Sequence, residues 1–270
     1  MSRADIIFKR NLRKILQEDW EIDNRARWKD GTIVKTKRIF GVVNRYDLSK
    51  ELPILTLRQT YLRSCFREIE WMYIKQSNNV NDLKLKIWDD WADETGSIGT
   101  AYGYQVAKPV FGYRSQIDYI LNEIQKNPTS RRLVIELWNV NELNTMNLVP
   151  CAHHIQFNVK NGKLNAILKQ RSNDFLVANN FNVVEYALLI HMIARHCNLQ
   201  VGELIHVIGD CHIYNKHIEQ AYELLRREPL PAPKLIIDDS VKNFYDFKEE
   251  HFKLENYQYH EPQLHFEVAI

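Results

Sequence analysis

Residues 151–172, CAHHIQFNVKNGKLNAILKQRS, hold two strand-like runs on either side of Asn161-Gly162. Asn-Gly between such runs is the strongest short hairpin signal. A two-residue turn pairs Lys160 with Lys163, and counting back along a regular ladder sets Cys151 opposite Ser172 and Ala152 opposite Arg171. In that register Arg171 lies on the face away from Cys151, so a site shared by the two requires a bulge or a strand end. A guanidinium near a thiol favours the thiolate, which is the nucleophilic form. Val149-Pro150-Cys151 with Arg171 is therefore a candidate reactive pair, and the bland alternative is an inert core cysteine.

Downstream of the hairpin, residues 179–197 are apolar almost all round, which predicts a helix buried on most sides. A strand at 203–210 and a helix at 215–227 follow, the helix ending before Pro229, Pro231 and Pro233. Short extended pieces are expected at 235–237, 251–254 and 264–268, and the apolar end Val268-Ala269-Ile270 reads as a terminus tucked against something. Upstream, 131–138 reads as a strand and 115–127 as a helix stopped by Asn127-Pro128. Residues 86–105 are irregular, with Gly96, Gly99 and Gly103 breaking a cluster of Trp and Tyr. That segment is either a binding wall or a loop whose Trp88 and Trp91 fill the core. Residues 57–76 carry the three-and-four apolar spacing of a helix, with Arg67 and Glu68 along it. Residues 32–46 read as extended and 2–19 as a helix.

Composition narrows the class. In 270 residues, 45% hydrophobic, there is material for a sizeable core, and no repeat or Ser/Gly/Pro-rich linker divides the chain, so residues 1–270 are expected to form a single domain. A net charge of +2 gives no global field for gripping polyanions. No apolar run reaches the ~18 residues of a membrane span, and no secretory h-region opens the chain, so a cytoplasmic protein is expected. Cys65, Cys151, Cys197 and Cys211 are scattered, as reduced thiols would be. His191/His196 and His212/His217 are five apart, which on a helix puts the members of each pair on different faces. His153 and His154 alternate across a strand, so at most one faces a given pocket, and no metal site is expected.

The remaining motifs run in a fixed order: Val149-Pro150-Cys151, Gln170-Arg171-Ser172-x-Asp174, Phe181-Asn182-x-x-x-Tyr186-Ala187, Gly209-Asp210-Cys211-His212-x-Tyr214-x-x-His217 and Arg227-Glu228-Pro229. Glu68-x-x-Trp71, Ile87-Trp88-Asp89-x-Trp91-Ala92-Asp93, Tyr102-Gly103, Ser130-Arg131-Arg132 and Val268-Ala269-Ile270 add to them. In order and spacing the chain resembles the folate-dependent thymidylate synthase family nearly end to end. The resemblance implies an α+β fold in which helices pack on a mixed sheet, with a sheet face at a homodimer interface. It also implies conversion of deoxyuridine monophosphate (dUMP) to thymidine monophosphate (dTMP), with 5,10-methylenetetrahydrofolate as donor of both the carbon and the hydride and no metal.

By the same resemblance Cys151 is the nucleophile at uracil C6, and Glu68, Tyr102, Asn182, Arg171 and Asp174 share the catalytic work. Arg25, Arg131, Arg132, Arg171 and Ser172 hold the phosphate, the Arg131-Arg132 pair reaching across from the second subunit. Asn173, Asp174 and Asn182 line the nucleotide, Asn182 reading the base edge, and His212 with Tyr214 hold the sugar hydroxyl. Tyr61, Trp88, Trp91, Asp174 and Ala269 face the folate, and the C-terminal residues fold over the site as a lid. The chain departs from the usual pattern at Ala152, Ala178, Arg58 and Tyr61. A hydroxymethylase acting on deoxyuridylate or deoxycytidylate is the nearest alternative, and Trp88 and the Val-Ala-Ile end favour hydride transfer over it. A nucleic-acid-binding regulator is the alternative from another class, and the near-neutral charge argues against it.

Overall fold

Ser2 opens the fold as a helix cap, its hydroxyl accepting from the Asp5 amide, and Ile7, Phe8, Leu12 and Ile15 turn one face of α1 (Arg3–Gln17) into the core. In the computed structural model residues 1–269 are described, and Ile270 of the sequence motif lies outside them. Strands β1 (Glu21–Arg27) and β2 (Ile33–Asp47) come next, then α2 (Leu62–Ile69), α3 (Val80–Leu83), α4 (Gly103–Val106) and α5 (Gln116–Lys126). After β3 (Val134–Glu136), β4 (Ala152–Lys160) and β5 (Lys163–Asp174), the chain enters α6 (Asn179–His196). It ends with β6 (Gln200–Tyr214), α7 (Ile218–Arg226), β7 (Lys234–Ile237) and β8 (Phe252–Glu255).

Six strands form one mixed sheet in the order β1-β2-β6-β5-β4-β3, and β7 pairs with β8 apart from it. Neighbours are antiparallel except β5 and β6, which run parallel because α6 carries the chain back between them. That position explains why α6 is apolar nearly all round: it packs on β5 and β6 on one side and on α2 on another. The architecture is α+β, with helices on a mixed sheet.

Asn161 and Gly162 take φ of 52° and 71°, the left-handed pair that a tight hairpin needs. Lys160 pairs with Lys163, and the regular register holds down to His154 opposite Lys169. There it slips. Ala152 pairs with Gln170, so one residue, His153, is extra on β4, and the Arg171 amide donates to the Cys151 carbonyl at 2.9 Å. The bulge that a shared Cys151–Arg171 site requires is present.

Several elements differ from the sequence expectations. The helix expected from residue 57 starts at Leu62, because tertiary acceptors take the amides before it. Thr56 donates to Asp5 at 2.9 Å, Gln59 to Gln263 at 3.0 Å and Thr60 to the Tyr257 hydroxyl at 2.9 Å. It then runs into a π-helical turn, Glu70–Ile74, directly after Glu68, and such turns insert one residue and re-aim the side chains near them. The strand expected at 131–138 narrows to β3, and β6 outruns 203–210 at both ends because it is paired on both edges. β1 was not legible, since Glu-Ile-Asp-Asn-Arg-Ala-Arg lacks strand-like alternation and forms an exposed edge. Residues 264–268 form no strand; their carbonyls bond to side chains of α7 and the turn before it.

Candidate active site

Cys151 stands at the mouth of β4, partly buried. The bulge brings Arg171 to it, with Nη2 3.7 Å from the Cys151 Sγ. The same guanidinium is pinned by the backbone of the motif, Nε donating to the Pro150 carbonyl at 3.1 Å and Nη2 to that of Val149 at 2.7 Å. Its flat face lies over Trp138, 5.9 Å from the ring centre. From the other side the Tyr102 hydroxyl accepts from the Cys151 amide at 3.1 Å. Tyr102 holds this place at a backbone cost, with φ 46° and ψ −105°, a conformation that L residues rarely adopt. Gly103 after it is obligatory, since a Cβ there would sit 2.0 Å from the Ser77 carbonyl oxygen.

The sequence reading had Arg171 favouring the thiolate. Both Arg171 and Arg25 act in that direction, but burial is the larger effect and the Cys151 thiol is held above its ordinary value. Removing the thiol from water costs the charged form more than two partly solvated arginines return.

Beneath the thiol lies a polar network built from β5, β6, α2 and α6. Asn182 Oδ1 accepts from Gln170 Nε2 at 2.9 Å, and Asn182 Nδ2 donates to Glu185 Oε2 at 3.2 Å. Asn173 Nδ2 donates to Gln170 Oε1 at 2.9 Å, and the same oxygen pairs with His206 Nε2. Burial keeps the His206 imidazole neutral, its pKa pushed down to about 3. Glu68, 6% exposed, accepts from Trp88 Nε1 at 3.1 Å and meets Glu185 carboxyl to carboxyl. Burial raises both acids, Glu185 the further.

Parallel pairing of β5 with β6 joins two motifs 38 residues apart in sequence, setting Ser172 beside Asp210, Asn173 beside Cys211 and Asp174 beside His212. His212 Nδ1 bonds Asp210 at 2.8 Å, Asp210 reaches Arg38 at 3.3 Å, and the His212 ring meets Tyr214 edge-on at 5.0 Å. Arg25, exposed on β1, is near enough to act on the thiol. Arg131 and Arg132 are not part of this cluster. Both are exposed ahead of β3, and among the described residues neither guanidinium makes a hydrogen bond or ion pair.

The glycine-broken segment contributes Trp88 to the core. Trp88 is buried and packs edge-on against Trp91 at 5.7 Å and Tyr102 at 5.0 Å, while Trp91 and Tyr61 keep accessible surface. Asp174 Oδ1 accepts from the Leu176 and Val177 amides at 3.2 and 3.1 Å, which fixes its carboxylate at the end of β5. Ala269 packs on Ala26, Trp28, Val34 and Tyr214, so the tail is tucked in as expected. Lys216 ties it down, bridging Asp30 at 2.7 Å and Glu267 at 3.0 Å.

One detail departs from the sequence reading and another adds to it. His153 and His154 do not split across the strand: the bulge brings both onto the Glu136 carboxylate, at 3.5 and 2.8 Å, and they hold its pKa at about 2. Arg58 is not a free cation; it is buried, bonded to Asn180 at 3.1 Å and stacked 4.5 Å over Phe266. Sequence reasoning gave no role to Glu185, Gln170, His206 or Trp138. Glu185 had a signal, a carboxyl on a helix apolar nearly all round, which must find a buried partner.

With this geometry in place, comparison with known proteins is decisive: the thymidylate synthase family profile matches residues 7–270. The chain belongs to the thymidylate synthase family. It is 43% identical to a thymidylate synthase of Bacillus mojavensis over 93% of this chain and 92% of that one. It is 41% identical to the thymidylate synthase of Bacillus licheniformis over the whole of both chains. The solved structure of thermostable thymidylate synthase A from Bacillus subtilis superposes with a TM-score of 0.93 at 39% identity, covering 99% of each chain. The chain is thus an enzyme, and its family's methyl transfer draws on methylenetetrahydrofolate. Among the described residues no group of three or more His, Cys, Asp or Glu side chains is arranged to hold a metal, and no helix is long and apolar enough to cross a membrane.

Proposed function

We propose that this chain, as one catalytic domain in a cytoplasmic homodimer, reductively methylates dUMP to dTMP, releasing dihydrofolate. The observation that carries the reading is the Cys151 thiol held against Arg171 by the bulge at His153, in a chain of this family. Cys151 attacks C6 of the uracil ring and breaks its double bond, which leaves C5 electron-rich enough to form a new carbon–carbon bond. Burial raises the thiol in the free enzyme, and a phosphate dianion beside it disfavours the thiolate further. Arg171 and Arg25 must supply the opposing field while they hold the phosphate together with Ser172. Among the described residues the Arg131 and Arg132 guanidiniums make no hydrogen bond or ion pair, which fits a pair that completes the phosphate site of a second subunit.

Asn182 reads the pyrimidine edge, with Gln170 and Asn173 fixing its carboxamide from below. His212, oriented by Asp210, and Tyr214 take the sugar hydroxyl. Glu68, with Tyr102, moves the C5 proton. The folate fits beside Trp88, Trp91 and Tyr61, where an aromatic wall faces the fixed Asp174 carboxylate and the docked Ala269. Bound there, it supplies the one-carbon unit and the hydride. Trp88, Trp91 and the tail then keep water from the reacting atoms.

The test is to incubate the enzyme with dUMP and methylenetetrahydrofolate, identify the nucleotide and follow dihydrofolate by absorbance. Thymidine monophosphate formed one for one with dihydrofolate is expected. A hydroxymethyl nucleotide without dihydrofolate would overturn the reading.

A further inference from the structure

Glu185 is 2% exposed, and the roles above leave it unused. Its Oε2 accepts from Asn182 Nδ2 at 3.2 Å, whereas its Oε1 is buried with no donor. The side chain that pairs with Glu185 is the Glu68 carboxyl, itself an acceptor from Trp88. Two carboxylates in contact away from water repel each other, and a buried oxygen left without a donor is unfavourable. One proton on Glu185 Oε1, donated to Glu68, removes both penalties at once.

The other groups facing the pair do not substitute for that proton. They are Cys65 on α2, Tyr73 on the π turn, Tyr102 ahead of α4 and Tyr186 on α6, all buried and all higher in pKa than usual. No cation is among the groups that act on Glu185, so a shared proton is the available means of balancing the charge.

We propose that Glu185 is a positioning residue of this active site: it keeps a proton shared with Glu68 and, through its second oxygen, orients the Asn182 carboxamide. One side chain thereby links the group that reads the base to the group that moves the proton. The acid–base and base-reading roles of these two partners rest on the function proposed above; the shared proton does not.

Glu185→Gln preserves the shape and both contacts, since the new amide donates to Glu68 and its oxygen accepts from Asn182, but it cannot titrate. Infrared difference spectra of the whole enzyme, titrated in pH without substrate, should contain a protonated-carboxyl C=O band at neutral pH that Glu185→Gln lacks. If the wild-type enzyme has no such band, or the variant keeps it, the proposal is wrong. Kinetics provide the second readout. The pair is active with one proton, so the parent's kcat/KM for dUMP falls on both the acid and the alkaline side. Glu185→Gln should keep the acid fall and lose the alkaline one. A uniformly lower rate with both falls in place would assign Glu185 a merely structural role. If the enzyme makes no dTMP, the functional reading fails, and the infrared band still decides the proton.

Discussion

At the residue scale, Glu185 and Glu68 show how function and stability pull in opposite directions. Both carboxyls are raised above 4.5 by burial, so between that value and their folded values the native state binds more protons than the unfolded chain. Their contribution to stability is therefore complete below about 4.5 and is lost as pH rises through the folded values. Glu185→Gln removes one such titration. The variant should melt higher than its parent by a margin that widens as pH rises above about 4.5. A margin that stays flat or narrows in thermal unfolding across that range would contradict the shared-proton account. The same scale explains what the sequence concealed. Cys151, Arg171, Glu68 and Asn182 were legible because ordered motifs name them. Glu185 fills an unspecified position of the Phe181–Ala187 motif, and only its isolation on an apolar helix distinguishes it.

At the element scale, the hairpin was legible from Asn161-Gly162 and the end of α5 from Asn127-Pro128, because local backbone chemistry decides both. The parallel pairing of β5 with β6 was not, since strands joined through an entire helix leave no local mark of their register. The bulge at His153 was legible as a requirement but not as a position. What keeps β5 in place there is Gly209 on β6. A Cβ at Gly209 would come 2.8 Å from the Arg171 carbonyl oxygen, and that oxygen is backbone, with no flexible end to swing aside. Gly209→Ala should thus push β5 and move the Arg171 fork off Cys151. We expect a loss of roughly 1–3 kcal/mol in stability and on the order of 10²-fold in kcat/KM. Unchanged melting and turnover would show that the strand absorbs the methyl without moving Arg171.

At the scale of the whole molecule, residues from both ends of the chain and its middle converge on one thiol. Arg25 comes from β1, Glu68 from α2, Tyr102 from the strained turn before α4, Arg171 from β5, and Ala269 packs beside Tyr214 at the tail. Lys216, held between Asp30 and Glu267, locks the early loop to the C-terminal segment. The near-zero net charge of the sequence concealed Arg25 and Arg171 beside a partly buried thiol, which total charge cannot reveal. We propose that this convergence makes Cys151 a nucleophile toward uracil C6. The most direct measurement is the intact mass of the denatured enzyme after incubation with 5-fluorodeoxyuridylate and methylenetetrahydrofolate. A stable adduct of nucleotide plus folate on the peptide containing Cys151, absent from folded Cys151→Ser, is the predicted result. An adduct that survives in Cys151→Ser, or no adduct on the wild-type enzyme, would contradict it.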